Sequence, residues 1–169
     1  MARTSSALVE LVASRSHALL RTAYLLTGDR SLAEDLVQEA LAKVYRRQER
    51  IRDVRALESY VRTTMLRTAI SWSRLRSSTE VVMAELPDRR ASEPSAPDDR
   101  LGLWPLLQLL PVQQRAVIVL AYYEDLSETD IADTLGCSVG AVKSHRARAL
   151  KRLRSAMGTA ELSGTEGLS

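Results

Sequence analysis

The sequence predicts an all-α fold of two small helical domains joined by a flexible linker, and three observations carry that expectation. Apolar residues recur at helical spacing in two separate sets, each broken by cap and stop residues. Alternating β-branched runs are few and phenylalanine is absent, which removes the usual strand signals. Between the two sets, residues 77–100 carry three prolines, six acids and no apolar stripe, the composition of a tether. A length of 169 residues with 45% hydrophobic content leaves room for a core in each half.

Residues 1–6 read as frayed. From about Ala7 to Thr27 the residues Leu8, Leu11, Val12, Leu19, Ala23 and Leu26 share one helical face, and Gly28 stops it. Ser31-Leu32-Ala33-Glu34 has the form of a capping box and opens a second helix to about Arg47. Its buried stripe is read as Leu32, Leu36, Val37, Ala40, Leu41, Val44 and Tyr45. Acids gather in its first half and cations close it, a polarity that complements the helix dipole and by itself requires no partner. A turn around Ile51 to Arg55 leads to a third helix, about Ala56 to Arg76, with Leu57, Tyr60, Val61, Thr64, Ala69 and Trp72 inward. Arg62, Arg67, Arg74 and Arg76 make it cationic, with Trp72 among them. Such a surface can hold phosphates while a base stacks on the ring, although a tryptophan at helical spacing is more often core.

Past the tether, Leu101 to Leu110 is expected to form a short or bent helix, because Pro105 is tolerated only in a first turn. Pro111 suits the first position of the next helix, which runs to about Tyr123 with Val112, Ala116, Val117, Val119 and Leu120 largely buried. Ser127, with Asp130 three residues on, caps a short helix striped by Ile131, Ala132 and Leu135. Gly136 stands where a left-handed C-cap belongs, and Ser138 can cap a second helix. That helix places Val142, Ala149, Leu150 and Leu153 on one side and carries Lys143, Arg146, Arg148, Lys151, Arg152 and Arg154. No acid occurs from Val139 to Arg154. A basic amphipathic helix also suits solvent, acidic lipid or calmodulin. The capped helix and glycine turn ahead of it favour a helix-turn-helix whose second helix enters the major groove. Residues 157–169 read as a disordered tail.

Composition narrows the function further. The formal net charge is only +3, so it is the clustering of cations that points to a polyanionic partner. Three of the 24 cations are lysine and the rest arginine, which suits forked recognition of phosphates and base edges but equally reflects a GC-rich genome. One cysteine, Cys137, excludes an internal disulfide and a multi-cysteine metal site. His17 and His145 are distant in sequence, and no Glu-x-x-His pattern accompanies Glu34, Asp35 and Glu39, so no catalytic residue, metal site or cofactor is expected. No apolar run reaches the roughly 18 residues of a membrane span, and no signal-peptide core opens the chain; a cytoplasmic protein is expected.

Three stretches together resemble an extracytoplasmic-function (ECF) RNA polymerase sigma factor. AEDLVQEALAKVY (Ala33–Tyr45) is similar to the region 2 segment that docks on polymerase, and YVRTTMLRTAISWSRLR (Tyr60–Arg76) to the part that recognises and melts the −10 element. Leu110–Arg154, with its helix-turn-helix and the preceding PxxxR helix, is similar to region 4, which reads the −35 element. Within the class, Ser71-Trp72 and YYEDLSE (Tyr122–Glu128) resemble the actinobacterial SigE-family subgroup.

The resemblance implies sigma region 2 over 1–76, a linker over 77–100, sigma region 4 over 101–156, and a tail over 157–169. It implies core RNA polymerase, through its clamp helices and flap, and promoter DNA as partners, and an anti-sigma protein is a usual partner in the wider family. Asp35, Leu36, Gln38 and Glu39 match the polymerase-docking motif. Arg62, Arg67, Ser71, Trp72 and Arg74 fall in the −10 segment. Ser138, Lys143, Ser144, His145, Arg146 and Arg148 fall in the −35 helix. Arg67 and Ser71 stand where many relatives have Asn and Asp, and His145 and Arg146 where many have Arg and an apolar or hydroxyl residue. A stand-alone helix-turn-helix regulator is the rival reading, and it leaves the acidic patch of the second helix and the Arg/Trp third helix without a role.

Overall fold

The computed structural model describes residues 2–80 and 102–165. The chain divides into two compact units, Met1–Asp99 and Arg100–Ser169. Among the described residues every regular element is a helix or helical turn, which bears out the all-α expectation.

In the first unit α1 (Ala2–Thr27), α2 (Arg30–Arg46) and α3 (Leu57–Glu80) pack on one another in all three pairings. Their shared core is Leu8, Leu19, Ala23, Leu25 and Leu26 of the first helix, Ala33, Leu36, Val37, Ala40 and Val44 of the second, and Leu57, Val61, Met65, Leu66, Ala69 and Ile70 of the third. α1 begins at Ala2, five residues before its apolar stripe would place it, since nothing in residues 3–6 breaks a helix. Gly28 ends it with φ of 69°. The cap of α2 is Asp29, not Ser31: its Oδ1 accepts the Leu32 N–H at 2.8 Å. Glu34 is then left to pair with Arg30 at 3.2 Å rather than to close a capping box. Two residues expected inside are outside. Tyr45 is 53% exposed and Tyr60 39%, because each lies at the edge of its helix's apolar arc and carries a hydroxyl that favours water. Two 3₁₀ turns, Gln48–Arg50 and Val54–Ala56, join α2 to α3, the second capped by the Asp53 side chain.

In the second unit α4 (Trp104–Leu107) is a single short turn with Pro105 in its first positions, as the proline requires. Pro111 precedes α5 (Val112–Ile118) as its N-cap, one position earlier than expected, and its carbonyl accepts the Arg115 N–H at 2.9 Å. The Arg115 side chain ties the two helices together. Its Nε and Nη2 donate to the Leu107 and Leu110 carbonyls at 2.9 Å each, and its guanidinium lies 4.8 Å above the Trp104 ring. A π-helical turn, Val119–Tyr123, continues α5. It is followed by α6 (Glu128–Leu135) and α7 (Val139–Thr165), and both α5 and α6 pack on α7.

The helices also outrun two sequence boundaries. α3 continues through 77–80, and α7 continues past Met157 to Thr165. The remainder of the expected linker, 81–100, and of the expected tail, 166–169, lies outside the described residues.

Candidate nucleic-acid and polymerase interface

The helix-turn-helix is built by its own side chains. Ser127 Oγ accepts the Asp130 N–H at 3.1 Å and donates to the Asp130 carboxylate at 2.8 Å, fixing the start of α6. Gly136, with φ 69° and ψ 38°, supplies the left-handed residue after Leu135, and the Gly136 and Cys137 amides both reach the Ala132 carbonyl. Ser138 Oγ then accepts the Ala141 N–H at 3.0 Å and starts α7. Ile131 and Ala132 of α6 are buried with Val142 and Ala149 of α7, so the angle between the two helices is locked by core.

This packing sorts the expected −35 residues. Ser138, Lys143, Ser144 and Arg148 are exposed. His145 and Arg146 are half-buried, on either side of the Val142–Ala149 stripe. The His145 Nδ1 is buried without a hydrogen-bond partner. Arg146 Nη2 lies 2.8 Å from Glu128 Oε1, and Lys143 Nζ lies 3.8 Å from Glu128 Oε2. Arg146 retains 38% side-chain exposure against 63% for Lys143. The outward cations are therefore Lys143, Arg148, Lys151, Arg152 and Arg154.

In the first unit Asp35 and Gln38 are exposed on α2, while Leu36 is wholly buried between them and Glu39 is half-exposed. On α3, Arg67, Ser71 and Arg74 are exposed, Arg62 is half-buried within 3.6 Å of Glu58, and Trp72 is half-buried. Trp72 Nε1 donates to Glu39 Oε2 at 3.0 Å. Glu39 Oε1 meets Lys43 Nζ at 2.7 Å, and that ammonium also donates to the buried Thr68 at 3.1 Å. The two groups of residues thus touch at Glu39 and Trp72.

One feature escaped the sequence. A cavity of about 470 Å³ opens where the 3₁₀ turns meet the start of α1, lined by Arg3, Gln48, Glu49, Arg52, Asp53 and Arg55 among others. Gln48 is buried there and its Oε1 accepts no hydrogen bond. The signal was present as a polar stretch broken only by Ile51 and Val54, Gln48 to Arg50 with Arg52, Asp53 and Arg55, but without an apolar period it reads only as a turn. Among the described residues no group of three or more His, Cys, Asp or Glu could hold a metal ion, and no helix is long and apolar enough to cross a membrane.

Residues 11–79 match the family description Sigma-70 region 2, and residues 101–153 match Sigma-70, region 4. The RNA polymerase sigma-E factor of Streptomyces antibioticus is 41% identical over 154 residues, covering 90% of this chain and 86% of that one. The protein of the same name from Streptomyces coelicolor is 43% identical over 148 residues, covering 86% and 82%. The ECF RNA polymerase sigma factor SigL of Mycobacterium tuberculosis is 34% identical over 142 residues, covering 80% of each. Among solved structures, the sigma factor RpoE of Bartonella quintana, crystallised with the anti-sigma factor NepR, superposes with a TM-score of 0.67 at 27% identity, over 88% of this chain and 94% of that one. This chain belongs to the sigma-70 family of RNA polymerase sigma factors, among its ECF members. A stand-alone regulator would account for 101–153 only, and the match takes in 11–79 as well.

Proposed function

We propose that this chain binds core RNA polymerase and directs it to promoters, with the first unit docking on polymerase and opening the −10 region and the second reading the −35 element. The observation that carries the reading is the acid-free, cation-rich stretch Val139–Arg154 of α7, mounted on a doubly capped helix-turn-helix. Groove entry by such a helix puts side chains at its N-terminal half against base edges and its other cations against phosphates. Lys143, Ser144 and Arg148 are the base-edge set, Ser138 and the first turn of α7 face the backbone, and His145 and Arg146 brace the set from its flanks.

Asp35 and Gln38 form the polymerase-docking face, held in place by Leu36 beneath them. Arg62, Arg67, Ser71, Trp72 and Arg74 form the −10 face. A base unstacked from the duplex costs on the order of a few kcal/mol and needs a receptor. The cavity at the α2–α3 junction supports that role as well, since its lining is largely polar and Arg52 and Arg55 suit the adjoining phosphates. The chain acts without catalysis of its own and without a cofactor, in the cytoplasm where polymerase works. An anti-sigma protein, present in the Bartonella quintana RpoE complex, is a further partner in this reading.

The test is purified core polymerase. The chain is expected to co-elute with it on gel filtration and to start transcription in vitro from a subset of a genomic template library. A chain that leaves initiation unchanged on every template overturns the reading.

A further inference from the structure

Glu39 belongs by its motif to the polymerase-docking set, yet both of its carboxylate oxygens are engaged inside the first unit. Oε1 is held by Lys43 at 2.7 Å and Oε2 by the Trp72 indole at 3.0 Å. Lys43 is in turn anchored on Thr68, one helical turn before Trp72 on α3. The arrangement ties α2 to α3 by two polar links, Glu39 to Trp72 and Lys43 to Thr68. An indole has one polar atom, its N–H, and that donor is spent on Glu39. What the half-buried ring leaves to solvent is therefore carbon surface, suited to stacking on a base and unable to read its hydrogen-bonding edge. A partner that drew Glu39 away would have to break a charge-assisted network and free the ring together.

We infer that Glu39 is a positioning residue for promoter opening: its carboxylate fixes the Trp72 ring as a stacking platform for an unpaired base of the opened strand, and it contributes little to polymerase affinity. The inference rests on the function proposed above and gives Glu39 a task other than the docking its motif implies. It also separates Glu39 from Asp35 and Gln38, which are exposed on the same helix.

The experiment measures two quantities on the full chain: affinity for core polymerase, and the rate of promoter opening by saturated holoenzyme, followed by permanganate reactivity of unpaired thymines. Three single variants and one double variant decide it. Glu39→Gln keeps an oxygen that accepts the indole N–H, so affinity and opening should both stay within about twofold of wild type. Glu39→Leu removes the acceptor, and Trp72→Phe removes the donor and shrinks the ring. Each should retain core affinity within about twofold while opening slows about tenfold or more, and the double variant should be no slower than the worse single one.

Loss of core affinity in both Glu39 variants, with normal opening once holoenzyme is saturated, returns Glu39 to the docking face and overturns the inference. Opening at the wild-type rate by Trp72→Phe overturns it too, and so does an equal defect in Glu39→Gln and Glu39→Leu. If Glu39→Leu does not fold, Trp72→Phe and Glu39→Gln still decide. Failure of the broader reading is distinguishable, because there the wild-type chain itself opens no promoter.

Discussion

Arg146 and Arg148 are two residues apart, carry the same charge and stand in the same helix, yet the fold gives them different surroundings. Arg146 is drawn to Glu128 beside the apolar stripe, whereas Arg148 is exposed. Arg148→Ala should cost about 1–3 kcal/mol of promoter binding by holoenzyme and relax preference at one −35 position. Arg146→Ala should cost less than about 1 kcal/mol, the scale of a half-exposed ion pair, and leave the preference intact. Binding titrations on a set of single-base −35 variants check both. The distinction was within reach of the sequence, since residues three and four beyond Val142 fall beside its stripe. Counting charge drew the eye to all the cations alike. What sequence could not supply was the partner, because Glu128 lies on the other helix. Arg115 makes the complementary case of a cation with a structural task. Arg115→Ala removes two charge-assisted hydrogen bonds to carbonyls and the stack on Trp104, and should destabilise the second unit by about 2–4 kcal/mol in thermal melts. Arg115→Lys should rescue only part of this, because an ammonium lacks the planar fork.

Helices are where the sequence was most informative, because apolar stripes survive whatever their neighbours do. All three helices of the first unit and the capped pair of the second were legible from periodicity and cap residues. The ends were less so, and the start of α2 shows why. Ser31 and Glu34 have the spacing of a capping box, but Asp29 caps equally well and stands beside Gly28, whose left-handed backbone already turns the chain. The earlier cap wins since it adds two residues to the helix and gives Glu34 an ion-pair partner in Arg30. Asp29→Ala should therefore lower the stability of the first unit by about 1 kcal/mol, and Ser31→Ala by less than about 0.5 kcal/mol. Equal effects in paired denaturant titrations would restore Ser31 as the cap. The π-helical turn at Val119–Tyr123 left no local mark, because its five residues are ordinary helix formers and strand formers whose wider turn is set by packing.

Over the whole chain, 24 cations stand against 21 acids, so the field at a distance is weak and attraction to DNA depends on segregation. The 16 residues from Val139 to Arg154 hold six cations and no acid, and two of the six, Arg146 at 2.8 Å and Lys143 at 3.8 Å, meet Glu128. The cationic clusters of both units were legible in the sequence, while the cavity beside Gln48 was not, because a pocket is made by turns whose course no period encodes. If Lys151, Arg152 and Arg154 each meet one phosphate, this face contributes about −2.7 to the slope of log affinity against log salt, at roughly −0.9 per phosphate. Lys151→Gln with Arg152→Gln should then make the slope measured for holoenzyme on promoter duplex shallower by about 1.8. Arg21→Gln, which removes an exposed cation on α1 that belongs to neither set of proposed DNA-contacting residues, should leave the slope unchanged. A shift of similar size from Arg21→Gln would mean that binding follows net charge rather than a placed surface, and the assignment of α7 to the groove would fail with it.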